Sequence, residues 1–165
     1  GKAAIAVSNG KQTADVNVRL APGTDPVSAL SKALAAWDFE PDTPIFTPRI
    51  SGCLVGRGAG LSIVRRGPAG ESLRNYFEVG LRPGEGRLVS TYAGPNANPL
   101  PVFSGEPGFV ALPGSTAAET AGAIYRDLGP AADGKDFRVS VACVLVPLAD
   151  PERTDVHIIN RHERT

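Results

Sequence analysis

"FEPDTPIFTPRISG", residues 39–52, decides how this chain is read. Three prolines (Pro41, Pro44, Pro48) and three charges (Glu40, Asp42, Arg49) fall within these residues. Proline fixes φ, lacks an N–H donor and pushes the residue before it into extended backbone, so neither a helix nor a central strand can run through. The element on its N-terminal side must therefore end here. Val27, Leu30, Leu34 and Trp37 recur at spacings of three, four and three, which predicts a helix with one buried face. Thr24 or Asp25 can cap it, with Pro26 in its first turn. On the C-terminal side a new element starts: "ISGCLVG", a turn "RGAG", then "LSIVRR" read as a β-hairpin. The segment between is stiff and polar. Its residues fit two readings equally: a rigid surface connector holding an Arg–carboxylate pair, or a support that holds polar groups at a site.

Outward from this connector the pattern is mostly β. "AAIAVS" (3–8) and "ADVNVRL" (14–20) flank Asn9-Gly10, a turn dipeptide, and are expected to form a first hairpin. "LRNYFEVGL" and "RLVSTYAG", joined by "RPGEG", are expected to form another. A Pro-rich loop leads to the short strand "GFVAL". A second helix is expected over "STAAETAGAIYRDLG", with a Thr116/Glu119 capping box and Gly129 as its stop. "DFRVSVACVLVPL" and "TDVHIINR" close the chain as a last pair of strands. Segregated helices with largely antiparallel strands give an α+β class, and 165 residues suit a single domain.

Bulk properties exclude several classes. Lys+Arg and Asp+Glu number 17 each, so no basic footprint for nucleic acid exists. Apolar runs such as "VSVACVLVPLA" are too short to span a membrane. Cys53 and Cys143 sit in apolar runs and are expected to be reduced and buried. With two histidines, one in a polar tail, no metal site is expected. No charged-then-apolar leader opens the chain, so a cytoplasmic protein is expected. Methionine is absent and the chain starts almost directly in a strand, so first elements of a longer protein are expected to be missing. Exposed sheet edges and the Pro-rich loop leave room for a homo-oligomer.

Five stretches could carry chemistry. "GRGAG" (56–60) and "PGEG" (83–86) have the glycines of a phosphate cradle, but they open no helix and read as turns. "SNGKQT" (8–13) carries Lys11, Gln12 and Thr13 that a hairpin does not need, as a solvated turn or as a site. Glu40, between Phe39 and Pro41, is expected to be partly desolvated and poised as a general base. Arg49 offers a planar fork for phosphate or carboxylate. "FSGEP" (103–107) sets Glu106 on a loop bounded by Gly and Pro.

Together "VSNGKQT", "AAWDFEPD", "FTPRISG", "STYAGPNANPLPVFSGEP" and "HIINRHE" resemble the IMP cyclohydrolases of the single-function archaeal and bacterial type, in order and at similar spacing. The bacterial branch is the more similar, through "PLPVFSGEP". The chain departs from the family in having Phe46 where archaeal members have Asn, and in having Ala14 after Thr13, with Asp15 displaced by one. An N-terminal segment that family members carry ahead of "VSNG" is not matched.

The resemblance implies an Ntn-hydrolase-like αββα sandwich. It implies an enzyme of purine biosynthesis, a hydrolase acting on a cyclic amidine C–N bond and run in the ring-closing direction. Formamidoimidazole-carboxamide ribotide would close to IMP with loss of water, and no metal or organic cofactor is needed. Glu40 would be the base or proton shuttle. Asn9 and Thr47 would bond substrate or oxyanion, and Arg49 would either pair with the ribotide phosphate or orient Glu40. Gln12, Thr13 and Glu106 would touch base or ribose, while Asp38 would cap or orient. The displaced Asp15 also allows a paralogue acting on a related amide or ribotide. A missing N-terminal segment allows a non-catalytic homologue that binds purine nucleotides. The partner in every case is a small-molecule purine ribotide, with neither nucleic acid nor membrane.

Overall fold

Asp25 caps the longer helix of the N-terminal half, accepting from the Ser28 amide at 2.7 Å, with Pro26 in the first turn. The helix runs Pro26–Leu34 and buries Ala29, Leu30, Ala33 and Leu34. These side chains pack on an antiparallel sheet, as the 3.6-residue period requires. In the computed structural model, residues 4–95, 97–130 and 134–162 are described. Ala3, Asn96 and Glu163, which belong to stretches quoted above, lie outside them.

In chain order the elements are β1 (Ala4–Ser8), α1 (Thr13–Asn17), α2 (Pro26–Leu34), β2 (Arg49–Val55), β3 (Gly58–Arg66), β4 (Ser72–Val79), β5 (Glu85–Leu88), β6 (Gly108–Ala111), α3 (Ala117–Asp127), β7 (Ser140–Leu145) and β8 (Asp155–Asn160). Helices and antiparallel sheets coexist, so the class is α+β. The chain divides into two compact units, residues 1–110 and 111–165.

The first unit holds a four-stranded sheet in the order β1-β2-β3-β4. One face carries Ala6, Cys53, Val64 and Tyr76 towards α2, joined by Val16, Leu20 and Trp37. Burial, helped by the Asp25 charge, pushes the Cys53 thiol up to about 11, so it is a reduced core residue. The other face is a second apolar surface. It includes Val7, Ile50, Leu54, Leu61 and Phe77, and Val7 is 64% exposed.

Four sequence expectations change here. The first hairpin does not form: β1 pairs with β2, Ser8 opposite Ser51, and residues 13–17 are helical. Val16 and Val18 show the difference. A strand would turn both to one face, whereas the helix buries Val16, leaves Val18 76% exposed and brings Leu20 to the core. The hairpin of residues 73–81 with 87–94 does not form either, because β4 pairs with β3 while β5 pairs with β6. The β2–β3 hairpin does form, but it turns at Gly56–Arg57 rather than at "RGAG". Gly58 and Gly60 are strand residues lying under α2. A Cβ would come within 2.9 Å of Pro26 Cγ at Gly58 and 3.1 Å of Leu30 Cδ1 at Gly60. Trp37 lies beyond the C-terminus of α2, with its amide on the Leu34 carbonyl.

In the second unit α3 packs on the β7–β8 hairpin. Thr116 and Glu119 form the expected capping box, and Gly129 takes φ 38° just past the helix. Asp136 holds Arg138 by two bonds of 2.9 Å, and these bonds keep its carboxyl well below the usual range. Val144, Val156 and Ile158 are exposed on one sheet face.

Candidate functional site

The polar connector and the loop after β1 meet in the first unit. β1 and β2 are neighbours, so residues 8–13 lie against residues 48–51. Asn9 joins the two. Its Nδ2 donates to Pro48 O (2.8 Å) and Thr91 Oγ1 (3.2 Å), and its Oδ1 accepts from the Ile50 amide (3.0 Å) and Gln12 Nε2 (3.1 Å). Each polar atom of that amide is used within the protein. Asn9 therefore clamps two loops together.

Gln12 is fully buried and passes the network on, its Oε1 accepting from Arg49 Nη1 at 3.1 Å. The same Nη1 meets Glu40 Oε1 at 2.5 Å. Arg49 is fixed on further sides: Nε donates to Asp38 O at 2.7 Å, and the guanidinium lies 4.6 Å from the centre of the Trp37 ring. The Trp37 indole in turn donates to Asp15 Oδ2 at 2.8 Å. The Arg49 side chain is 11% exposed and that of Glu40 is 36% exposed. Glu40 Oε2 has no hydrogen-bond partner among the described residues. The Phe39 ring makes an edge-on contact with Phe46 at 5.8 Å. Glu40 is ion-paired and half open.

Gly10 lies directly beside this cluster. A Cβ there would stand 2.7 Å from Gln12 Oε1, 3.1 Å from Arg49 Nη1 and 3.5 Å from Glu40 Oε1. Glycine lets backbone pass close to Gln12 Oε1 and the Arg49 guanidinium, both of which a Cβ would crowd. Thr13, at the start of α1, returns its hydroxyl to Gly10 O at 2.7 Å and so braces the same turn.

The remainder of the connector closes on Asp42. Its carboxylate accepts from the Thr47 amide (2.7 Å) and hydroxyl (2.5 Å), while its carbonyl accepts from the Ile45 and Phe46 amides. The Thr47 hydroxyl bond is the main reason the Asp42 carboxyl lies below its ordinary range. The Thr47 proton is thus used internally, and the Tyr92 hydroxyl stands 3.4 Å from the same oxygen. Tyr92 is brought there by its bridge to Val102. Phe46 adopts φ 53°, uncommon for an aromatic residue and tolerated best, glycine aside, by Asn and Asp.

The structure therefore gathers Asn9, Gln12, Thr13, Glu40, Thr47 and Arg49 around one loop crossing. Asp38 accepts from Ser72 and Arg74 and acts as a brace. Glu106 is placed elsewhere, in a cavity of about 200 Å³ with Phe77, Arg87 and Phe109. Gly10, Asp42 and Tyr92 were given no role in the sequence reading. Asp42 lay inside the quoted stretch, yet its bond to Thr47 depends on loop closure that no spacing rule predicts. A separate open cavity of about 320 Å³ borders Asn9, lined by Val7, Ile50, Leu61 and Val89. Among the described residues no three His, Cys, Asp or Glu side chains are grouped to hold a metal ion, and no helix is long and apolar enough to cross a membrane.

Such an arrangement can do acid–base work: a carboxylate with one oxygen anchored by a guanidinium and the other open can take a proton from a bound group. Comparison with known proteins bears on which group. The family described as IMP cyclohydrolase-like protein matches residues 1–146. An IMP cyclohydrolase of Methanothrix thermoacetophila is 35% identical over 86 residues, which cover 52% of this chain and 40% of that protein. The chain thus spans well under half the length of this curated relative.

Proposed function

Because this chain belongs to the IMP cyclohydrolase-like family, we propose that its site closes formamidoimidazole-carboxamide ribotide to IMP with loss of water, in purine biosynthesis. One observation carries the chemistry: Glu40 is anchored through Oε1 on Arg49 and open at Oε2, with its side chain 36% exposed. The carboxamide nitrogen attacks the formyl carbon of the same molecule, forming the new C–N bond. Glu40 Oε2 takes the proton that nitrogen sheds, and the formyl oxygen takes one from solvent to become a hydroxyl. The carboxyl returns its proton as that hydroxyl leaves as water, and the formamide nitrogen loses its own proton to solvent. Holding the two groups in contact supplies much of the rate, because the reaction is intramolecular.

Arg49 orients Glu40 in this reading, since its Nε and Nη1 are already bonded. The Tyr92 hydroxyl is the better donor to the developing oxyanion, because Thr47 donates to Asp42. Asn9 and Gln12 shape the loop crossing and need not touch substrate. The αββα sandwich belongs to the same proposal. What supports it is that each unit, taken alone, is a helix on one face of an antiparallel sheet whose other face is apolar.

The test is ultraviolet-monitored ring closure by the full-length protein. The expected result is conversion of the formamido ribotide to IMP without added metal or cofactor. Tight IMP binding with no turnover would overturn the enzyme reading in favour of a nucleotide-binding homologue.

A further inference from the structure

Glu40 is placed only as well as Arg49 is, because Arg49 is its anchor. The N–H groups of Arg49 reach Asp38 O, Gln12 Oε1 and Glu40 Oε1, and these bonds fix the edge of the guanidinium. Its tilt is left to whatever covers its face. That cover is the Trp37 ring, whose centre lies 4.6 Å from the guanidinium carbon. Trp37 is held in turn. Its amide donates to Leu34 O at 3.1 Å, its carbonyl accepts from Arg74 Nη2 of β4 at 2.7 Å, and its ring packs against the core of the first unit. The indole N–H donates to Asp15 Oδ2, on α1, at 2.8 Å. Asp15 is exposed, lies outside that core and makes no other side-chain hydrogen bond among the described residues.

We propose that Trp37 and Asp15 are positioning residues for Glu40, acting through Arg49: the indole ring sets the tilt of the guanidinium, and the Asp15 carboxylate sets the ring. A half-buried indole could give its N–H to water, so burial alone does not call for the Asp15 bond. What the bond adds is direction. A carboxylate on the N–H also polarises the ring, which strengthens the attraction of its face for a cation. By covering one face, the ring helps hold the Arg49 side chain at 11% exposure, and excluding water keeps the attraction between Arg49 and Glu40 strong.

Each residue also has a separate structural use, Asp15 as a charge in the first turn of α1 and Trp37 as core packing. Neither use requires the two to meet. Their contacts instead run in series, a hydrogen bond from Trp37 to Asp15, a stacked cation at Arg49 and an ion pair at Glu40, joining α1, the segment after α2 and the start of β2. That Asp15 and Trp37 hold the guanidinium stands on this geometry alone. That the hold governs turnover rests on the ring-closure reading.

The test is a double-mutant cycle in the full-length protein, read by ring-closure kinetics and by the Trp37 indole N–H and Arg49 Nε–Hε resonances. D15A, at an exposed position, is expected to move both resonances and to lower kcat about tenfold, with IMP affinity kept within about twofold. D15N keeps an oxygen for the indole and is expected to restore most of that rate. W37F keeps a ring beside Arg49 but has no N–H, so adding D15A to it is expected to cost nothing further. Additive losses overturn the proposal, because Asp15 would then act through its own charge. A kcat or an Arg49 resonance that D15A leaves in place overturns it too, as does a loss of IMP affinity that matches the loss of kcat. If the parent protein does not close the ring, the ring-closure reading falls, and the Arg49 resonance alone decides whether Asp15 and Trp37 set the guanidinium.

Discussion

Gly10 shows how much of the site depends on an atom that is missing. Its hydrogen faces Gln12 Oε1, and Gln12 is fully buried and bonded at both ends, so it cannot swing aside for a methyl group. Gly10→Ala is expected to destabilise the protein by about 1–3 kcal/mol, the usual range for overpacking. It should also break the Glu40–Arg49 contact. Denaturant unfolding measures the first effect, and ring-closure rate measures the second. Asp42 makes a prediction in pH. Its carboxyl is held below the ordinary value, so the Thr47 bonds stabilise the fold fully above about pH 4 and lose that effect as pH falls through the lowered value. Asp42→Asn should therefore flatten the acid limb of stability, seen as unfolding midpoints that fall less between neutral and acid pH than in the parent protein. An Arg–carboxylate pair in the connector was one of the two readings the sequence allowed, because Glu40 and Arg49 flank the same stiff segment; the further hold of Gln12, Asp38 and Trp37 on Arg49 was not legible. The Asp42–Thr47 and Asn9–Thr91 bonds were not, since each needs a loop already closed.

Elements with their own local signals were readable, and elements fixed by distant partners were not. Asp25 with Pro26 marks the start of α2, and Thr116 with Glu119 marks that of α3. Thr116→Ala is expected to cost about 0.5–2 kcal/mol, because it leaves the Glu119 amide without its acceptor. A thermal midpoint lowered by less than Ser115→Ala lowers it would contradict that assignment. The Asn9-Gly10 dipeptide, by contrast, suggested a hairpin where the chain makes a turn into α1. The side chain of Asn9 is spent on bridging to residues 48–50, and β1 finds its partner some 43 residues further on at Ser8–Ser51. Non-local pairing leaves little trace in local pattern. The glycines of β3 misled for a related reason, as they answer to the helix lying above them rather than to a turn.

For the whole molecule, family and class were carried by motifs spread along the chain. Residues 1–146 match one family, and helices with antiparallel sheets confirm α+β. The division into two units at residue 110 was not visible in composition, since no charged or low-complexity linker marks it. The central claim remains local to one carboxylate: Glu40, held by Arg49 beside Gly10, moves the proton in ring closure. The direct test replaces Glu40 with Gln in the full-length protein and compares turnover with IMP affinity. The account predicts a kcat lower by about 10²–10⁴-fold with affinity changed only a few-fold. An unaltered kcat would contradict it.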